Sequence, residues 1–204
     1  MEAGPLKSVL RSFRQATATF TEPGVRNALT GSFAADATLH MCHPFEDLAG
    51  PDAIYSPCYN PLLDAIPDLE RRDMNVMAGE TPHREHWVGC KRNYMGTFIG
   101  PFLDIPPTGH LAHMRYHEFF RIEDGKVTGM QAIWDLPELM MLAGAWPMAP
   151  QLGGFLCTPG PMPSDGLAIE GAGRAAMHHV RAMLKDLCRH PSEGGPEIMQ
   201  LDKY

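Results

Sequence analysis

No run of lysine and arginine occurs anywhere in the 204 residues, and the formal net charge is −7. A nucleic-acid surface needs a concentrated basic patch, so no nucleic-acid partner is expected. No membrane partner is expected either: there is no basic footprint for an anionic lipid surface, and no stretch approaches the roughly 20 apolar residues of a spanning helix. Met1 to Phe20 lacks the long apolar core of a signal peptide. Cysteine is sparse. Cys42, Cys58, Cys90, Cys157 and Cys188 are odd in number, widely spaced and without a Cys-x-x-Cys pair. That argues against a disulfide framework or a structural zinc site. Reduced thiols and a cytoplasmic location are the expectation.

What is present in quantity is punctuation, with 20 glycines and 19 prolines. Many turns and loops follow from these. The length admits one ordinary domain plus an extra segment, and the 44% apolar fraction suffices for one packed core. Leu6, Val9, Leu10, Phe13 and Phe20 recur at helical spacing, which predicts an amphipathic helix over 5–20. A second helix is expected after Thr21, with Pro23 in its first turn and Val25, Ala28, Leu29 and Phe33 as its stripe. Ala37 to Cys42 reads as a strand. Residues 52–66 have helical spacing interrupted by Pro57 and Pro61, which predicts a kinked or partly 3₁₀ segment.

From Leu69 the period changes to two. Residues 69–78, 86–98, 110–122 and 127–134 read as strands, the last two joined by Glu123-Asp124-Gly125-Lys126, a strong hairpin signal. Helices followed by an antiparallel meander predict an α+β domain. The sheet must curve strongly to enclose a core, and that curvature leaves a concave pocket for a ligand. After Pro147 the texture changes. Residues 148–170 read as a Pro/Gly-rich linker. Residues 171–204 read as a helical extension, with a helix over 171–190 and a second helix over 197–204. That extension echoes the first two helices of the chain, as a truncated second repeat or a dimer arm would.

Several segments, in order, resemble the SnoaL-like polyketide cyclase family. They are Phe33-Ala34-Ala35-Asp36-Ala37-Thr38-Leu39-His40, His43-Pro44-Phe45-Glu46-Asp47-Leu48-Ala49-Gly50 and Ile66-Pro67-Asp68-Leu69-Glu70-Arg71-Arg72. Further on come Gly96-Thr97-Phe98, Ile105-Pro106-Pro107-Thr108-Gly109, Arg121 to Val127, Trp134-Asp135 and Ala143-Gly144. The resemblance covers about residues 5–147, so residues 1–147 are expected to be the domain. It implies a cone-shaped, strongly curved antiparallel sheet packed by three N-terminal helices, the nuclear transport factor 2-like fold. It also implies a homodimer paired through the open sheet face. Leu39 stands where the family usually has tryptophan, and Phe98 where many members carry histidine. The second departure removes a polar group from the expected pocket.

Asp135 is the first candidate catalytic residue. It follows the apolar run Met130 to Trp134 and precedes the helix-like Leu136-Pro137-Glu138, so it can cap that helix or face the pocket. The resemblance matches it to the family's general acid/base. His40 is the second, matched to a strand-one histidine, with a wall residue as the bland alternative. Arg115, Tyr116, His117 and Glu118 form a cluster in which period two sends Arg115 and His117 to one face, Tyr116 and Glu118 to the other. The expected substrate pocket comprises Arg115, His117, Tyr94, Trp87, Trp134 and Phe119. Leu139-Met140-Met141-Leu142 is most simply packing. No metal is expected: His113 and His117 share a strand face but lie roughly 13 Å apart at strand rise.

The implied function is a cofactor-independent ring closure or isomerisation of an apolar carbonyl compound. Asp135 would move a proton beside a carbonyl, and His40 or Arg115 would stabilise the enolate. One alternative is a non-catalytic protein that binds small hydrophobic ligands on the same fold. Another is epoxide-hydrolase-like water addition, which uses an Asp-Arg-Asp set; Asp135 and Arg115 are available, but no clear second aspartate is.

Overall fold

The computed structural model describes residues 3–149, 165–168 and 173–188. The chain divides into two compact units, Met1–Ile169 and Glu170–Tyr204. In the first unit the expected 5–20 helix is two helices, α1 (Ala3–Val9) and α2 (Arg11–Thr19), separated by a turn at Leu10. Leu10 and Phe13 are fully buried, so the break lets both sides of the turn reach the core. Helix α3 (Glu22–Ser32) starts with Pro23 in its first turn and buries Val25, Ala28 and Leu29.

Strand β1 (Phe33–His40) begins four residues before the expected start, because Phe33 pairs with the hairpin-end residue Val127 and a bulge intervenes before Thr38. A three-residue edge strand, β2 (Asp47–Ala49), pairs with β1 and was not foreseen. The interrupted segment is α4 (Pro51–Ile54), a π-helical turn (Tyr55–Tyr59) and α5 (Asn60–Ala65). The expected interruption is thus a wide π-turn, and not a 3₁₀ stretch. Pro57 and Pro61 lack the N–H of an ordinary α-turn, and the wider turn accommodates the gap.

The meander follows as β3 (Glu70–Glu80), β4 (His86–Thr97), β5 (Leu111–Glu123) and β6 (Lys126–Trp134), then helix α6 (Leu136–Leu142). The six strands form one sheet in the order β2-β1-β6-β5-β4-β3. Its pairs are antiparallel except β1 with β6, which run parallel because the chain travels through the helices and the meander before returning beside β1. Along β5 burial alternates without interruption. Ala112, Met114, Tyr116, Glu118, Phe120 and Ile122 face the helices, while Leu111, Arg115, His117 and Phe119 face outward. The enclosed side is packed with rings: Phe13, Phe20, Phe33, Tyr59, Tyr94, Phe120 and Trp134. Each such side chain, fully buried, contributes about 1.5–3 kcal/mol.

Most of the expected linker lies outside the described residues. Within it, Asp165–Ala168 form one helical turn, α7, and Lys7 Nζ donates to the Leu167 carbonyl at 3.3 Å. In the second unit the expected helix over 171–190 is α8 (Arg174–Leu187). The helix expected over 197–204 lies outside the described residues. No helix among the described residues is long and apolar enough to cross a membrane.

Candidate functional site

Inside the sheet's concave side, an ionic network replaces open space. Arg71 has no exposed side-chain surface, and its Nη1 lies 2.7 Å from Oε2 of the equally buried Glu118. Its Nη2 lies 3.2 Å from Asp73 Oδ1. Tyr94 donates to Glu118 Oε1 at 2.7 Å and the Trp134 indole to the same oxygen at 2.9 Å. Tyr116 donates to Asp73, and Arg14 reaches the other Asp73 oxygen, both at 2.5 Å. The Arg71 guanidinium lies against the Tyr116 and Phe13 rings, 4.5 and 5.0 Å from their centroids. Burial alone would push the Asp73 carboxyl up, but Arg71, Arg14 and the Tyr116 hydroxyl outweigh it and hold it below the usual carboxylate range. Burial pushes the hydroxyls of Tyr59, Tyr94 and Tyr116 well up, so all three stay neutral at pH 7. A carboxylate and a guanidinium paired this closely within a shell of rings form a structural anchor, and a reactant would have to displace those rings to reach them.

The outward side carries the second cluster. Asp135 closes β6 and caps α6, its Oδ1 accepting from the Glu138 backbone N–H at 3.1 Å. Its other oxygen lies 3.0 Å from Arg115 Nη2. Glu138, on the first turn of α6 and 1% exposed, grips the same arginine: Oε2 accepts from the Arg115 backbone N–H at 2.7 Å and lies 3.5 Å from Arg115 Nε. Glu138 Oε1 lies 3.2 Å from His113 Nε2. Arg115 is therefore fixed by two carboxylates. His117, two residues along the same face, is held below the ordinary histidine range by partial burial and then by the Lys91 and Arg115 cations, against a weaker pull from Asp135. It is neutral at pH 7 and has a lone pair to offer as a base. Arg115, His117, Ile133, Trp134, Asp135 and Pro137 line a cleft of about 370 Å³.

The sequence-predicted residues thus fall into three places. Asp135, Arg115 and His117 come together at the cleft. Tyr94 and Trp134 hold Glu118 from the inside, and the residue Trp134 also borders the cleft, so it adjoins both clusters. Phe119 and Trp87 lie on the outward face further along the sheet, the Trp87 indole donating to Glu85. His40 is 57% exposed, bonded to Asp47 at 2.6 Å, and pairs in register with Gln131. That puts it four residues from Asp135 along β6, about 13 Å at strand rise. Phe98 is fully buried. The Gly-Thr before it is structural: Thr97 binds both Asp68 oxygens, and a Cβ on Gly96 would strike Ile66 and Asp68. Among the described residues, no group of three or more His, Cys, Asp or Glu side chains is arranged to hold a metal ion.

Sequence reasoning passed over Glu138 as an anchor, and Lys91 and Arg71 as members of these clusters. Strand alternation contains the signal for one of them: β4 aligned antiparallel to β5 sets Lys91 beside His117.

No curated protein matches the sequence. Among solved structures, AclR of Streptomyces galilaeus, a proposed hydroxylase, is 20% identical with a TM-score of 0.57; the match covers 72% of this chain and 89% of AclR. IdmH of Streptomyces antibioticus, a proposed polyketide cyclase, is 18% identical with a TM-score of 0.56, covering 69% of this chain and 99% of IdmH. A proposed SnoaL-like polyketide cyclase from Jannaschia Sp. CCS1 is 21% identical with a TM-score of 0.55, covering 69% and 92%. At these identities the likeness establishes the fold alone. The family model for the SnoaL-like polyketide cyclases matches residues 11–141, from the second helix to the last turn of α6, and this chain belongs to that family.

Proposed function

We propose that the protein is a cofactor-independent cyclase or isomerase of a carbonyl compound, working at the cleft where Asp135, Arg115 and His117 meet. The observation that carries this reading is the Arg115–Asp135 contact at 3.0 Å, with Arg115 held from behind by buried Glu138. The apolar wall of Ile133, Trp134 and Pro137 suits a hydrocarbon skeleton. The charged wall suits its oxygens. Asp135 takes a proton from the carbon beside a carbonyl, with neutral His117 as the second base in reach. The fixed guanidinium of Arg115 receives the negative charge that moves onto the carbonyl oxygen, a preorganised donor that needs no reorientation. An intramolecular aldol closure then needs only the return of one proton and a correctly folded chain.

The test is a panel of linear poly-carbonyl compounds, with ring-closed isomers followed by chromatography. Native protein should turn over at least one member. Asp135→Asn should be slower by about 10²–10⁴, the usual contribution of a positioned acid or base. Asparagine also caps helices, so the variant keeps α6. Equal rates would remove Asp135 from the mechanism. Binding without chemical change would favour instead a ligand-binding protein on this fold. That second reading draws support from Asp135 itself, which already serves as helix cap and ion-pair partner.

The outward face also exposes Met77, Leu111, Phe119 and Ile133. An apolar surface of this kind supports a homodimer paired through the open sheet, whose partner would wall the cleft off from water.

A further inference from the structure

Beside the Asp135 cleft, and sharing Arg115 and His117 with it, lies a smaller one of about 90 Å³ lined by Met74, Lys91, Arg92, Asn93, Arg115, His117 and Glu138. Its charge is lopsided. Arg115 is matched by Asp135 and Glu138. Lys91 and Arg92 make no ion pair or side-chain hydrogen bond among the described residues. Register sets Lys91 directly beside His117, and Asn93 beside Arg115, so these four side chains form one block on the outward face. Lys91 and Arg115 therefore sit on a diagonal of this ladder, where like charges repel, and this chain carries a net charge of −7, with carboxylates to spare for pairing them. A bulge in β3 between Asp73 and Asn75 leaves Met74 at the rim. A cavity of this size with unmatched donors fits a compact oxyanion.

We propose that Lys91 and His117, side by side on the outward face, form an oxyanion subsite that takes a carboxylate or phosphate group of the ligand whose carbonyl reacts at Asp135. The inference rests on the reading of the Asp135 cleft for the identity of that ligand, but the subsite itself is testable without turnover. The substrate class becomes a carbonyl compound with an anionic end, anchored two residues along β5 from the guanidinium that faces its reacting carbonyl.

The charged groups around His117 are Lys91 on β4, Arg115 on β5, Asp135 after β6 and Glu138 on α6. An anion among them reverses the repulsion from Lys91 and Arg115. It should raise the His117 titration midpoint, and it should bind more tightly as pH falls through that midpoint.

The experiment titrates the full chain with inorganic phosphate in one arm and acetate in the other, following the His117 imidazole by NMR at constant ionic strength. His117→Gln identifies the resonance. Saturable binding with an upward midpoint shift is the expected result, and the arm that binds more tightly names the group. Lys91→Met should weaken binding at least tenfold, while Arg84→Gln, an equal charge change elsewhere, leaves it alone. Unsaturable shifts in both arms, or equal effects of the two variants, would overturn the subsite. Asp135→Asn separates the two proposals. Anion binding retained with turnover lost supports both. Anion binding retained with turnover unchanged sinks the cleft mechanism and leaves the subsite standing.

Discussion

Arg115 and Glu118 sit three residues apart on one strand, face opposite ways and hold different kinds of ion pair. The Glu118–Arg71 pair is wholly buried, so Glu118→Ala leaves a guanidinium among rings with its main partner gone; the expected loss is about 3–5 kcal/mol of unfolding free energy in urea. Arg115 is 46% exposed, and Arg115→Met should cost little stability while removing the enolate partner, so its effect belongs in the rate. His117 gives a pH signature. Its folded pKa lies below the ordinary histidine value of 6.5, so the unfolded chain takes up the proton first. Stability is unaffected above that pH and falls as pH drops from it toward the depressed folded value. Urea midpoints measured across this range should fall less for His117→Gln than for native protein; parallel curves would contradict the assignment. Asp135 and Arg115 were legible as candidates because a strand end and a strand alternation are local. Glu138 was not, because its grip on Arg115 crosses 23 residues and nothing in Leu136-Pro137-Glu138 announces it.

The β5–β6 hairpin shows where sequence reads well. Asp124 and Gly125 both have positive φ, 48° and 75°, the requirement of the two-residue turn that their dipeptide signalled. Gly125→Ala places a Cβ in that left-handed region and should cost about 1–2 kcal/mol, seen as a lower thermal midpoint. Helix α6 is similar, since a capping aspartate with proline in the first turn was visible in advance. Asp135→Ala should therefore lose about 1 kcal/mol of cap that Asp135→Asn keeps. The misread elements depend on distant partners. Strand β1 owes its early start to Val127, β2 exists only as an edge on β1, and the break at Leu10 answers to burial on both sides of the turn. The four long strands of the meander and their order along the chain needed only period two, and all four appear within about two residues of the expected bounds.

At the scale of the whole molecule, the family's curved sheet is kept while its concave side is filled with rings and a buried ionic network. The open cleft lies at the rim, where Trp134 adjoins both it and the buried Glu118. A dimer through the outward face would complete that cleft. Sedimentation at micromolar concentration should report a dimer, and Phe119→Glu, which sets a charge in the exposed apolar patch, should shift it to monomer. A native monomer would remove the partner wall from the account. The central claim is proton transfer at carbon by Asp135 with Arg115 opposite. Its most direct test is solvent deuterium exchange into a linear 1,3-dicarbonyl probe, followed by mass spectrometry in heavy water. Native protein should accelerate exchange at the carbon between the carbonyls, and Asp135→Asn and Arg115→Met should each abolish most of that acceleration. Exchange at the uncatalysed rate with native protein, or undiminished in Asp135→Asn, would contradict it.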